Sequence, residues 1–168
     1  PDKSMASRSR AFSDTMIAKK VSFLACPAFF SRKGGRKTYE RMIAVKKVIR
    51  TDKAPDPIGP YSQGLVCGNR VYVSGQGPRN PETGTSPEGI REQTRQVLKN
   101  IKAILEAGGA TMDQVVKVTA HLTNLDRDFQ GYNEVYKEFF TEPYPVRITV
   151  QSQLFGMLVE IDAIAELD

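Results

Sequence analysis

The stretch Pro145-Val-Arg-Ile-Thr-Val-Gln-Ser-Gln-Leu-Phe-Gly-Met-Leu-Val-Glu-Ile-Asp-Ala-Ile-Ala-Glu-Leu167 decides how the chain is read. Both of its arms are rich in β-branched residues and alternate in polarity, which predicts two strands around a short turn near Gly156. In the first arm Ile148 and Val150 share one face, and Arg147, Thr149 and Gln151 the other. In the second, Val159, Ile161 and Ala163 oppose Leu158, Glu160 and Asp162. Pairing the two apolar sets as a hairpin puts Arg147 across from Glu160, and a one-residue slip would swap every face. Charges inside otherwise apolar strands are costly unless paired or used. Arg147 and Glu160 are therefore the candidate site, as a structural ion pair (with Asp162 as a second partner for Arg147) or as working groups.

Working outward, Asp128 to Phe140 predicts a helix with Phe129, Tyr132, Val135, Tyr136 and Phe139 on its buried side, closed by Pro143. Before it, Val116, Val118, Ala120 and Leu122 alternate with Lys117, Thr119, His121 and Thr123 as a half-buried strand. An earlier apolar stripe, Ile90, Val97, Leu98, Ile101, Ile104 and Leu105, predicts a helix with Ser86 as N-cap, Pro87 at its first position and Gly108-Gly109 at its end. Val45 to Thr51 predicts a first strand, and Gln63 to Val66 with Arg70 to Ser74 a hairpin around Gly68-Asn69. The run Ala54-Pro-Asp-Pro-Ile-Gly-Pro60 is neither helix nor central strand, and forms a rigid loop that holds Tyr61 in place.

The order of three or four strands, helix, strand, helix and two strands predicts an α+β domain whose two helices can cover only one face of its sheet. The other face, assigned Tyr72, Thr119, His121, Thr149, Gln151, Leu158 and Glu160, is too apolar for ordinary surface and predicts an oligomer packing sheet faces together, with sites in the clefts.

Charge divides the chain. The 168 residues carry a net +5, but residues 1–41 hold ten Lys/Arg against three Asp/Glu, and residues 42–168 fourteen against sixteen. The core is slightly acidic, which speaks against nucleic acid as its partner. Segment 1–41, rich in Ser, Arg and Lys, reads as an organelle transit peptide or as a vector-derived leader before a start at Met42; the compartment is accordingly cytoplasmic or mitochondrial. No run reaches the ~18 apolar residues of a membrane span. Cys26 and Cys67 form no disulfide framework, and no Cys/His spacing suggests a metal site. His121, the single histidine, has no partner spacing for catalysis and reads as an interface residue. Gly75-Gln-Gly77 opens no helix and is not a phosphate loop.

Together, Ile58-Gly-Pro-Tyr-Ser-Gln63, Val73-Ser-Gly-Gln76, Tyr132-Asn-Glu-Val-Tyr136, Pro145-Val-Arg147 and Val159-Glu-Ile-Asp-Ala-Ile-Ala165 resemble the RidA (YjgF-type, endoribonuclease L-PSP) family over residues 42–167. The resemblance implies a chorismate-mutase-like fold, a mixed six-stranded sheet backed by two helices on one face, assembled as a homotrimer with sheets facing inward. It also implies cofactor-independent hydrolysis of 2-iminobutanoate and 2-iminopropanoate, the products of threonine and serine dehydratases, to 2-oxo acids and ammonia. Carried over, Arg147 binds the substrate carboxylate and Glu160 holds the attacking water. Tyr61, Ser74, Gly75, Asn133 and Thr149 line the pocket, some from a neighbouring subunit. Thr149 stands where many bacterial members have cysteine, and the turn near Phe155 is about two residues shorter than the family pattern. The resemblance leaves two alternatives: cleavage of single-stranded RNA, or non-catalytic binding of small carboxylates.

Overall fold

The computed structural model describes residues 45–168, so the basic segment 1–41 lies outside the described residues. In chain order the elements are β1 (Lys46–Ile49), β2 (Gly64–Cys67), β3 (Arg70–Gln76), α1 (Ile90–Ala107), β4 (Val115–Leu122), α2 (Leu125–Phe139), β5 (Val146–Gln151) and β6 (Val159–Glu166). The strands form one six-stranded sheet in the order β1-β2-β3-β6-β4-β5, antiparallel except for the parallel pair β4–β5. This is the expected α+β architecture. Both helices pack on one face, where Val71, Val73, Val118, Ala120, Leu122, Val159, Ile161, Ala163 and Ala165 are buried beneath the α1 stripe of Val97, Leu98, Ile101, Ile104 and Leu105.

The terminal stretch is not a hairpin. β4, α2 and β5 form a crossover unit, which runs its second strand parallel to its first. β5 lies at the sheet edge beside β4, and β6 pairs with β4 on the other side. The segment joining β5 to β6 crosses the end of β4, where Ser152 N donates to Leu122 O (3.0 Å), Thr123 N to Leu158 O (3.0 Å) and Thr123 Oγ1 to Met157 O (2.6 Å).

This topology reverses the assignment of faces in β5. Directly opposed residues share a face. Arg147 opposes Val118 and Glu160 opposes His121. Val118 and His121 are three positions apart on one strand, so Arg147 and Glu160 lie on opposite faces of the sheet. Arg147 and Thr149 turn toward the helices, while Ile148 and Val150 join Thr119 and His121 on the open face, 53% and 38% exposed. The expected open-face residues Tyr72, Thr119, His121 and Glu160 are there; Thr149 and Gln151 are not.

Three local boundaries also differ. α1 begins at Ile90 after Gly89, whose φ of 74° suits glycine, and Ser86 does not cap it; instead Gln93 Nε2 bonds back to Pro87 O (3.0 Å). α2 begins three residues earlier than Asp128, capped by Asn124, whose side chain accepts from Arg127 N (3.0 Å). Its buried arc is Asp128, Gly131, Tyr132, Val135 and Tyr136, which leaves Phe129 43% exposed. In β4 the register shifts between Val115 and Lys117, so Val115 is buried and Val116 faces out.

Candidate active site

Four of the predicted residues meet in one cavity of about 850 Å³, whose lining includes Tyr61, Ser74, Gly75 and Glu160. The proline loop that delivers Tyr61 is fastened by Gln63, a buried glutamine. Its Nε2 donates to Thr51 O (3.0 Å), Ala54 O (3.1 Å) and Pro55 O (2.9 Å), and its Oε1 accepts from Thr51 N (2.8 Å). A buried loop backbone needs such partners. The Tyr61 hydroxyl accepts from Ile58 N (3.3 Å), which turns the ring back over its own loop.

On the facing wall, β3 carries a bulge between Val73 and Gln76, so that Ser74 and Gly75 together face Asp162 of β6. Ser74 is bound to the proline loop twice: its N donates to Gln63 O (3.0 Å) and its Oγ to Ser62 O (2.6 Å). Gly75 is the point of closest approach. A Cβ there would collide with the Oε1 of Glu160 and lie 3.2 Å from its Cδ, so the carboxylate rests against bare backbone. Asn100, buried on α1, fixes the next turn through Nδ2 bonds to Gly77 O and Arg79 O, both 3.0 Å. Phe155, 98% exposed, and Met157 form the rim.

The remaining predicted residues are elsewhere. Arg147 projects from β5 onto α2, with its Cζ 4.6 Å from the Tyr136 ring centroid and 5.2 Å from that of Tyr132. Thr149 follows it on the same face, and Asn133 lies half-buried on α2 beside Tyr132. Among the described residues no carboxylate is within ion-pairing distance of Arg147. The hydroxyl oxygens of Tyr132, Tyr136 and Thr149 are buried without a hydrogen-bond partner among the described residues. Burial raises the Tyr132 hydroxyl above the ordinary tyrosine range, opposed by the charge of Arg147 and by Thr149. Burial does the same to Tyr136, reinforced by Tyr132 and opposed by Arg147. His121, opposite Glu160 on the open face, shares a hydrogen bond with Ser152 through Nδ1 (2.8 Å).

The predicted residues thus fall into two groups. One offers a carboxylate, a hydroxyl and close backbone; the other offers a guanidinium that no carboxylate among the described residues neutralises. The structural ion pair between Arg147 and Glu160, open on sequence grounds, is absent. Sequence reading did not find Gln63, Asn100 or the rings beneath Arg147. A glutamine opening an apolar strand directly after a proline loop was the one signal for the first; the tyrosines passed as helix core.

The endoribonuclease L-PSP family profile matches residues 51–167. A RutC family protein of Pyrococcus abyssi is 51% identical over 123 residues, covering 71% of this chain and 96% of that protein. A 2-iminobutanoate/2-iminopropanoate deaminase of Dermatophagoides farinae is 48% identical over 106 residues, covering 62% and 82%. Among solved structures, Escherichia coli TdcF with bound serine superposes with a TM-score of 0.69 at 42% identity, over 73% of this chain and 99% of that one. Fold, profile and identity agree that this chain belongs to the endoribonuclease L-PSP family, the RidA family whose motifs it carries.

Proposed function

We propose that the protein is a cofactor-independent deaminase that hydrolyses small 2-imino acids, 2-iminobutanoate and 2-iminopropanoate among them, to 2-oxo acids and ammonia. The observation that carries this reading is the pair of incomplete half-sites: a carboxylate seated against Gly75 in an open cavity, and an arginine without an acid partner on the opposite face. Neither alone suits an imino acid; together they match its two ends. A second copy of the chain supplies the missing half, and the exposed Val146, Ile148 and Val150 give the open face a reason to associate. The family resemblance points to a homotrimer with its sheets inward.

In the assembled cleft, the Arg147 fork receives the substrate carboxylate through charge-assisted hydrogen bonds. Glu160 accepts a proton from water as the oxygen attacks C2 of the iminium, giving a carbinolamine. Glu160 returns its proton to the amine nitrogen; the C–N bond breaks as the carbinolamine hydroxyl becomes the 2-oxo group, its proton going to the departing ammonia, which leaves as ammonium. Tyr61, Ser74, Gly75, Asn133 and Thr149 shape the cleft. Holding the imine beside one water supplies much of the acceleration. A mere anion binder gains nothing from a glutamate at the ligand, which favours turnover over storage.

The test generates 2-iminobutanoate in situ with a threonine dehydratase and follows its decay. Wild-type protein accelerates the decay; Arg147→Ala lowers kcat/KM by about 10²-fold or more, and Glu160→Gln lowers kcat by about 10²–10⁴-fold. No acceleration by wild type overturns the proposal. The family description keeps RNA cleavage as a second reading. RNA degradation that survives Arg147→Ala and vanishes on repurification belongs to a contaminant.

A further inference from the structure

Arg147 is compensated in an unusual way for a half-buried cation. Removing a charge from water is unfavourable unless something replaces the hydration. Among the described residues that replacement is two aromatic rings: Tyr136 at 4.6 Å and Tyr132 at 5.2 Å from Cζ, inside the ~6 Å reach of a cation–π contact. The difference from a carboxylate partner matters chemically. An acid bound to the fork occupies two of its N–H donors and cancels its charge. Ring faces attract the cation without taking up the guanidinium donors in an ion pair.

The rings are themselves held in place. Tyr132 and Tyr136 lie on one side of α2 and Phe140 follows at its C-cap, and all three are buried. Tyr132 and Tyr136 sit 5.7 Å apart at 53°, and Tyr136 stacks on Phe140 at 4.3 Å and 30°. Among the described residues the hydroxyls of Tyr132 and Tyr136 have no hydrogen-bond partner. Their contact with Arg147 is made through the rings.

We propose that Tyr136 and Tyr132 are positioning residues that form an aromatic cradle for Arg147, fixing the guanidinium while leaving its donors free for the ligand carboxylate. This rests on the role given to Arg147 above. It assigns carboxylate affinity in part to two side chains that do not touch the ligand, and assigns it to their rings, not their hydroxyls.

The experiment titrates 2-oxobutanoate by calorimetry into wild type, Arg147→Ala, Tyr136→Leu, Tyr136→Phe and Phe140→Leu, with thermal midpoints and the imine-decay assay alongside. Tyr136→Leu is expected to weaken 2-oxobutanoate binding and raise KM about tenfold, with kcat changed far less. Tyr136→Phe restores both. Phe140→Leu, in the same aromatic column but not against Arg147, lowers the thermal midpoint and leaves the affinity near wild type. Should Tyr136→Leu fail to fold, Tyr136→Met fills the volume without a ring and carries the same expectation. Wild-type affinity in the ringless variants, with binding lost in Arg147→Ala, overturns the cradle alone. So does equal damage in Tyr136→Phe, or equal loss of affinity in Phe140→Leu. Undiminished binding in Arg147→Ala overturns the carboxylate role and the cradle with it.

Discussion

Gly75→Ala would place a methyl group where the Glu160 carboxylate lies. The glycine is not in the left-handed region, so its backbone accepts alanine, and the obstruction is one of volume. The side chain that must yield is the flexible end of Glu160. The expected result is therefore a folded protein, with a thermal midpoint within about 4 °C of wild type, whose deamination rate is lower by about 10²-fold because the carboxylate is displaced. An unchanged rate would show that the seat against Gly75 does not matter. At this scale the sequence was informative about identity and silent about contact. Tyr61, Ser74, Gly75 and Glu160 all stand out in the sequence, and they share a cavity. That Glu160 lies on Gly75 depends on a bulge in β3, which alternation of polarity does not reveal.

Among the elements, strands and helices were legible from period and turn chemistry, and pairing was not. The alternation in Val146–Gln151 is real, but which of its faces is buried depends on the neighbour. The sequence supplies a nearby candidate, β6, while the fold supplies β4, which was already paired to β6. A crossover helix between β4 and β5 was the available clue, because such a helix returns the chain parallel to where it began. α1 and α2 are tied on their outer side by two rungs: Arg91 Nε to Glu134 Oε2 (2.8 Å) and Arg95–Glu138 (2.7 Å). The hydrogen bonds from Arg91, then Gln130, hold the Glu134 carboxyl below the ordinary glutamate range. A carboxyl lowered on folding stabilises the native state above its unfolded pKa and ceases to do so as pH falls through its folded value. Glu134→Gln should lower the melting temperature slightly at pH 7 and low salt. The difference from wild type should shrink in acid and in high salt, because the pair is exposed. A gap that persists in acid would assign the effect to packing.

For the whole molecule, the two half-sites make a complementation experiment decisive. Arg147→Ala and Glu160→Gln each remove one half. Mixed after denaturation and refolding, the two inactive proteins should regain about a quarter of wild-type activity in a randomly assembled cyclic trimer, since one intact cleft forms in each mixed ring. No recovery would mean that each cleft draws both groups from one chain. A mass measurement giving a monomer would remove the shared cleft altogether. The open sheet face, expected from its composition to be an interface, carries Ile148 and Val150 where Thr149 and Gln151 were expected.

The four hydrogen bonds of Gln63 have a mechanical consequence. They leave its amide with no unspent donor and anchor the proline loop to β1's end through Thr51, while Ser74 of β3 adds two bonds, to Ser62 O and Gln63 O. Swinging that loop aside would break all of them together, so it is a fixed wall and not a door. The rim at Phe155 has no such ties among the described residues: the ring stands in solvent beside Gly156 at φ 64°. Substitutions there should alter how quickly product departs before they alter what the carboxylate and the arginine do.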